Sequence, residues 1–290
     1  MKRIFLFLLT NLLVVFTIGI LISVLGLDRW ASESGVQYGP LMVFCFLYGM
    51  GGAFISLLIS RWSAKMMMGV ELLEPGRAGE FEWLVAMVHD HARRAGISTM
   101  PEVGVYRSGE VNAFATGPSR NRSLVAVSTG LLARMNRDEV EGVVGHEMSH
   151  ISNGDMVTMT LVQGVVNAFV MFLARIIAFA VTQNMKEENR YVMRAVITLA
   201  LQMVLCILGM LVVNAFSRYR EFRADAGGAR LAGRSDMVAA LKALQRQFQP
   251  AAEAHASIAA LKISGKSTGI ARLFATHPPL EERIARLQGA

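Results

Sequence analysis

A mainly α-helical membrane protein that also carries a small α+β domain is the fold class this sequence predicts. Three observations predict it. Apolar stretches long enough to cross a bilayer interrupt the chain, and a polar middle segment alternates short β-branched runs with turn signals. One amphipathic helix with its own start signal carries "GHEMSH". The composition agrees: of 290 residues, 53% are hydrophobic and 18% charged, and mean hydropathy is +0.41, apolar for a soluble domain.

Four apolar stretches stand out. The first, residues 4–27, follows "MKR" and is uncharged until Asp28. Its length exceeds a signal-peptide core and no A-x-A-type cleavage site follows, so it reads as a retained span. The second, residues 40–60, is again uncharged and about 20 residues long, the length a bilayer needs. The third, 156–182, is interrupted by Arg175, which can snorkel to an interface. The fourth, 195–216, holds Gln202 and Asn214 as its strongly polar members. The second pair has an alternative reading, a buried helical hairpin covering a site rather than crossing the bilayer. Lys2 and Arg3 precede the first stretch, and Arg61 and Lys65 follow the second. This places the N-terminus, residues 61–155 and residues 217–290 on the cytoplasmic side. The domain plan is therefore a transmembrane hairpin (1–60), a polar segment (61–155), a second hydrophobic hairpin (156–216) and a C-terminal polar segment (217–290).

The net charge of +7 belongs to such loops. No basic-plus-aromatic motif accompanies it, so nucleic acid is not an expected partner, while the lipid bilayer is. Cys45 and Cys206 both lie in apolar runs without CxxC spacing and read as small hydrophobes.

Within the middle segment, Phe81, Leu84, Val85 and Val88 recur at helical spacing in a run that ends near Gly96. "PEVGVYRS", "EVNAFATG" and "SLVAVSTG" follow, β-branched and aromatic runs parted by Ser-Gly and Gly-Pro-Ser turns, which predicts a small sheet. Asn136 then opens a helix as N-cap, with Glu139 three residues later completing a capping box. Val140, Val143, Val144, Met148 and Ile151 give that helix its apolar face.

On that helix His146 and His150 are four residues apart, so both imidazoles project from one face, one turn apart. That spacing offers two corners of a tetrahedral zinc site and leaves Glu147 as a general base for an attacking water. Two surface histidines on an ordinary amphipathic helix is the bland alternative. A catalytic zinc needs a third protein ligand. A third histidine six residues on is lacking, because position 156 is Met. Asp155 is one candidate. The other is Glu221 in "SRYREFRADAGGARLAG", on a helix expected to end near Gly233. Asp225, one turn on from Glu221, would then hold a histidine N–H from outside the metal. An ordinary charged helix with i,i+4 pairs is the alternative for that stretch.

"HEMSH", a hydrophobic hairpin, "SRYREFRADAGGA" and "ATHPPLEERI", together with "VNAFATG", resemble the HtpX-type heat-shock membrane proteases. These belong to the integral-membrane zinc metalloproteases that also include the type I CAAX prenyl proteases. The resemblance runs over nearly the whole chain. It implies one Zn²⁺ per chain held by His146, His150 and Glu221, with Glu147 as catalytic base. It also points to His277 and Arg283, in "HPPLEER", as candidates for contacting the developing oxyanion, although His277-Pro278 alone reads as a helix start. Asn112, Ala113 and Phe114 it places on an edge strand lining the cleft, where an extended substrate could add.

The expectation is thus transmembrane helices plus a small α+β zincin-type (HExxH) metalloprotease domain. It would sit in a bacterial inner membrane, active site to the cytoplasm, degrading unfolded or damaged membrane proteins under stress. A hydrophobic hairpin fills most of the chain between His150 and Glu221, which places the site near the hairpin's cytoplasmic ends. The rivals are a prenylated-peptide processing protease and a non-catalytic scaffold with structural zinc. A lid over 250–270 is a further expectation, and the oligomeric state is left open.

Overall fold

The computed structural model describes residues 37–254 and 271–289. The expected first span at 4–27 lies outside the described residues, as does the 255–270 part of the expected lid. In chain order the elements are helix α1 (Tyr38–Met68), strand β1 (Glu71–Leu73), a 3₁₀ turn (Gly79–Phe81), α2 (Glu82–Arg94), β2 (Glu102–Tyr106), β3 (Ala113–Ser119) and β4 (Arg122–Ser128). Then come α3 (Thr129–Arg134), α4 (Arg137–Asn153), α5 (Asp155–Thr182), α6 (Glu187–Leu231), α7 (Arg234–Ala254), the single turn α8 (Ala271–Phe274) and α9 (Leu280–Gln288).

The residues group into two compact units, one holding 37–55 and 160–213, the other 56–159 and 214–289. Among the described residues, α1, α5 and α6 are each long and apolar enough to cross a membrane, and the protein is a membrane protein. In the first unit Cys45, Phe172 and Ile176 form a buried cluster, with Tyr38 packed edgewise against Phe172. Among the described residues Arg175 has no acidic partner: its guanidinium donates to the Met171 carbonyl (3.1 Å) and lies 5.5 Å from the Phe44 ring centre. Leu199, Met203, Ile207 and Val212 on α6 are exposed, as side chains facing lipid should be. Where the sequence suggested an apolar stretch and a separate polar helix, α6 is one 45-residue helix. Its one glycine between Met193 and Asp225 is Gly209, and it has no proline, so nothing in that run breaks it.

The second unit is built on a four-stranded sheet of order β1-β2-β4-β3. β2 and β4 run parallel, and β1 and β3 are antiparallel edge strands. The register pairs Val103 with Val125 and Val105 with Val127. These side chains share one face and join Leu84, Val85 and Val88 of α2 and Val140, Val144, Met148 and Ile151 of α4 in a single core. The Gly-Pro-Ser sequence is a bulge inside β3 rather than the expected turn, and the chain reverses after Ser119 instead. Pro118 cannot donate a ladder bond, which an edge strand tolerates.

Helix α4 starts as the sequence predicts. Asn136 Oδ1 accepts from Glu139 N (2.9 Å) and Glu139 Oε2 accepts from Asn136 N (3.0 Å), completing the capping box. It stops at Gly154, whose φ of 66° closes the last turn and lets α5 leave in a new direction.

His91 of α2 is buried in this unit, and neither ring nitrogen has a hydrogen-bond partner among the described residues. Burial holds its pKa below the ordinary value; Arg94 adds to that effect and Asp90 offsets part of it, while the Glu141 carboxylate lies 3.9 Å away. The unfolded chain therefore takes up this proton more readily than the folded one, so the stabilising contribution is complete above the unfolded pKa of about 6.5 and is lost as pH falls below it. Thermal unfolding of the detergent-solubilised protein is expected to show stability declining from about pH 7 to pH 5. His91→Leu should decline less over the same window, and parallel pH profiles for the two would show that His91 has no part in it.

Candidate active site

Two helices supply the candidate groups, and their close approach follows from small residues. A Cβ added to Gly227 of α6 would lie 1.9 Å from Ser149 Oγ and 2.9 Å from Ser149 Cβ on α4. One added to Gly228 would lie 3.0 Å from the His146 backbone nitrogen, and Gly145 faces the Gly228 carbonyl just as closely. The "ADAGGA" run therefore lets α6 reach the backbone of the His-Glu-x-x-His turn, as small residues do wherever helices pack tightly.

That approach brings His146, His150 and Glu221 together. One donor atom from each lies within 4.8 Å of the others. His146 Nε2 and His150 Nε2 are 3.1 Å apart, with the rings edge to face. Glu221 is fully buried, its carboxylate 3.3 Å from His146 Nε2 and 3.4 Å from His150 Nε2. The opposite ring nitrogens are held by two further buried acids. Asp225 Oδ1 lies 2.9 Å from His146 Nδ1, and Asp155 Oδ2 lies 2.7 Å from His150 Nδ1. A carboxylate there keeps a proton on Nδ1, which turns both Nε2 lone pairs inward toward the Glu221 carboxylate.

Such a convergence of lone pairs calls for positive charge. Burial draws the His150 pKa down, but hydrogen bonds to Asp155 and Glu221 overcome it and push the value up to about 9. Glu221 Oε1 is buried, 3.4 Å from His150 Nε2, with Arg220 Nη2 3.8 Å away. Two imidazole nitrogens and one carboxylate, each oriented by a second group, fit a divalent metal of the zinc class.

The remaining residues singled out in the sequence fall into three groups. Glu147 is half-buried on α4 between the two histidines, near enough for its charge to act on His150 and Arg283. The C-terminal arm brings in His277 and Arg283: His277 Nδ1 is 2.8 Å from Glu221 Oε2. Arg283 is buried and grips Asp225 with two donors, Nε to Oδ2 (2.8 Å) and Nη2 to Oδ1 (2.6 Å). This pair uses the Nε–Nη2 edge of the guanidinium, and the same Nη2 lies 3.8 Å from Glu221 Oε2. Asn112 leads into the edge strand β3. Ser128 N donates to its carbonyl (2.9 Å) and its own N–H donates to Ser128 Oγ (3.1 Å). Alternation from that pair turns the backbone groups of Ala113 and Ala115 away from β4, toward the open edge. The Phe114 ring lies 5.6 Å from Tyr106.

Asp155 is the residue whose position the spacing did not give. The sequence offers it as a possible metal ligand; its Oδ2 lies 2.7 Å from His150 Nδ1, the ring nitrogen opposite the converging Nε2. A separation of five across the Gly154 cap is not a helical pair, so helix geometry offered no signal for it.

A His-Glu-x-x-His helix facing a Glu-x-x-x-Asp helix, in a chain with apolar helices long enough to span a membrane, defines a membrane metallopeptidase. Residues 78–290 match Peptidase family M48, and the chain belongs to that family; it is an enzyme that hydrolyses peptide bonds. It is 52% identical over 295 residues to a "Protease HtpX homolog" of Bacillus licheniformis, covering 99% of each chain. It is 50% identical over 294 residues to one of Nitrosomonas europaea, covering 100% of each. The crystal structure of S. mikatae Ste24p has the same fold, with a TM-score of 0.59 at 17% identity, covering 97% of this chain. This chain spans 66% of the length of that protein.

The close approach of α4 and α6 has a direct test. Gly227→Val should destabilise the protein by about 1–2 kcal/mol, overpacking outweighing the helix propensity gained by removing glycine. Chemical denaturation measures it, and a more stable variant would mean that the two helices can part freely.

Proposed function

We propose that this chain is a zinc-dependent endopeptidase of a bacterial inner membrane that cleaves unfolded or damaged membrane proteins from the cytoplasmic side. Such activity fits stress-linked quality control, as the resemblance to the HtpX-type heat-shock proteases implies. The observation that carries the reading is the meeting of His146 Nε2, His150 Nε2 and the Glu221 carboxylate, with Asp225 and Asp155 behind the two rings. Lys2 and Arg3 before the first apolar stretch, and Arg61 and Lys65 after the second, support the orientation.

In this reading His146, His150 and Glu221 hold one zinc. Zinc there supplies Lewis acidity toward the scissile carbonyl and makes water easier to deprotonate. The protein's own groups do the rest. The Glu147 carboxylate takes a proton from the attacking water and returns it to the leaving amine nitrogen. Asp225 and Asp155 keep the Nδ1 protons of His146 and His150 in place, and Arg283 fixes Asp225. His277, exposed and tied to Glu221 through Nδ1, is placed to offer its ring to the oxygen that gains charge. An extended substrate adds to β3 through the outward backbone groups of Ala113 and Ala115. Binding then depends on main-chain bonds and little on sequence, as an enzyme for unfolded chains requires.

Cleavage of unfolded casein by the detergent-solubilised protein, with zinc content followed in parallel, tests the proposal. Glu147→Gln should keep its zinc and lose on the order of 10²–10⁴-fold in kcat. Full activity with zinc bound would refute the assigned base. Turnover of a farnesylated peptide in preference to casein would favour the prenyl-processing reading instead. Separately, Asp155→Asn and Asp225→Asn should each weaken zinc binding by about 10–100-fold in chelator competition, and unchanged affinity in both would remove them from the metal's support.

A further inference from the structure

Four polar residues of α6, Asn214, Arg218, Glu221 and Asp225, follow one another at spacings of four, three and four, so they form a single stripe along the helix. Each meets the C-terminal arm: the first two at residues 273–275, the third at His277 and the fourth at Arg283. Asn214 Nδ2 donates to the Phe274 carbonyl (2.9 Å). One Arg218 nitrogen, Nη1, donates to the carbonyls of Leu273 (3.0 Å) and Ala275 (2.7 Å). Glu221 meets His277, and Asp225 meets Arg283. Beside the stripe, Arg286 stacks over Phe222 at 3.7 Å.

The chemistry explains the two upper rungs. Helix α8 is a single turn, so it cannot satisfy its own carbonyls, and three consecutive oxygens point away from it toward α6. Two donors on α6 take all three. His277 stands two residues beyond the last of them and is followed by Pro278 and Pro279. A residue before proline is confined to extended backbone, and proline fixes its own φ, so little slack separates the clasped carbonyls from the imidazole. Below His277, the two-pronged Arg283–Asp225 pair holds the other end of the segment. The imidazole itself is mostly exposed and hydrogen-bonds Glu221 through Nδ1.

We infer that Arg218, assisted by Asn214, is a positioning residue for His277: it fixes the start of the C-terminal arm so that the imidazole reaches the Glu221 carboxylate. The inference rests on the peptidase reading above. Arg218 contacts none of the converging donor atoms, so its effect must travel through the arm.

The test measures kcat, KM and bound zinc for the full-length protein in detergent, with casein as substrate. The variants are Arg218→Met, Arg218→Lys, Asn214→Leu, His277→Gln, the Arg218→Met/His277→Gln pair, and Glu147→Gln as control. Arg218→Met should lower kcat by about tenfold to a hundredfold, the cost of a misplaced catalytic group, with zinc retained. Arg218→Lys should recover part of the loss, since an ammonium can still reach one carbonyl, and Asn214→Leu should cause a smaller fall in the same direction. The double variant should be no slower than His277→Gln alone. Losses that multiply in the double variant, zinc lost from Arg218→Met, or unchanged kcat in Arg218→Met or in His277→Gln would overturn the inference. If Glu147→Gln keeps wild-type activity, the peptidase reading itself fails, an outcome distinct from those.

Discussion

Three lone-pair donors held in a buried space, two imidazole nitrogens and one carboxylate, are the constraint around which the second unit is arranged. Acceptors facing each other out of water are unfavourable, so their convergence calls for a cation or a proton, as the raised His150 pKa shows. The surrounding structure therefore has to hold them in place. The Asn136 capping box and Gly154 fix the two ends of α4, while the valines of its inner face lock it to the sheet. Asp225 and Asp155 set the two rings. Gly227 and Gly228 let α6 come near enough for Glu221 to join them. Each of these features answers the same demand, the placement of charge-bearing atoms before any ligand arrives.

The acids behind the histidines show how a buried cluster is layered. Asp225 faces His146 on one side and the Arg283 fork on the other, so its charge is compensated twice. A buried carboxylate satisfied in this way is well ordered, and removing either partner would leave an uncompensated charge. Asp155 has His150 close by, with Arg220 at 4.0 Å from its carboxylate. Arginines thus form an outer ring around an inner set of histidines and acids, and the C-terminal arm supplies one of them. The arm is part of the site rather than an appendage to it.

Much of this was legible in the sequence because it was written locally. The four-residue spacing of His146 and His150, the Asn136–Glu139 box and the apolar periodicity of α2 and α4 are helix rules operating within one or two turns. The apolar runs of α1, α5 and α6 were equally plain by length. Glu221 needed more, since it lies 71 positions from His150: its four-residue spacing to Asp225 made it the better candidate over Asp155, and the resemblance to a known family implied the same residue. What stayed hidden depends on contacts between distant segments. Nothing in "SRYRE" announces that Arg218 meets carbonyls 55 and 57 residues away, and nothing in "HPPLEER" says that Arg283 turns to Asp225. The bulge at Gly117 was read as a turn because Gly-Pro-Ser permits either, and only the pairing of β3 with β4 decides between them.

The claim on which everything turns is that His146, His150 and Glu221 hold one zinc and leave room for a substrate. X-ray absorption at the zinc edge, on the purified full-length protein with its metal content measured, tests it most directly. The account predicts one zinc per chain in a nitrogen and oxygen environment, with two imidazoles at about 2.0–2.1 Å and no sulfur, and a spectrum that changes in Glu221→Gln. Sulfur scattering, or a Glu221→Gln spectrum identical to wild type, would contradict it.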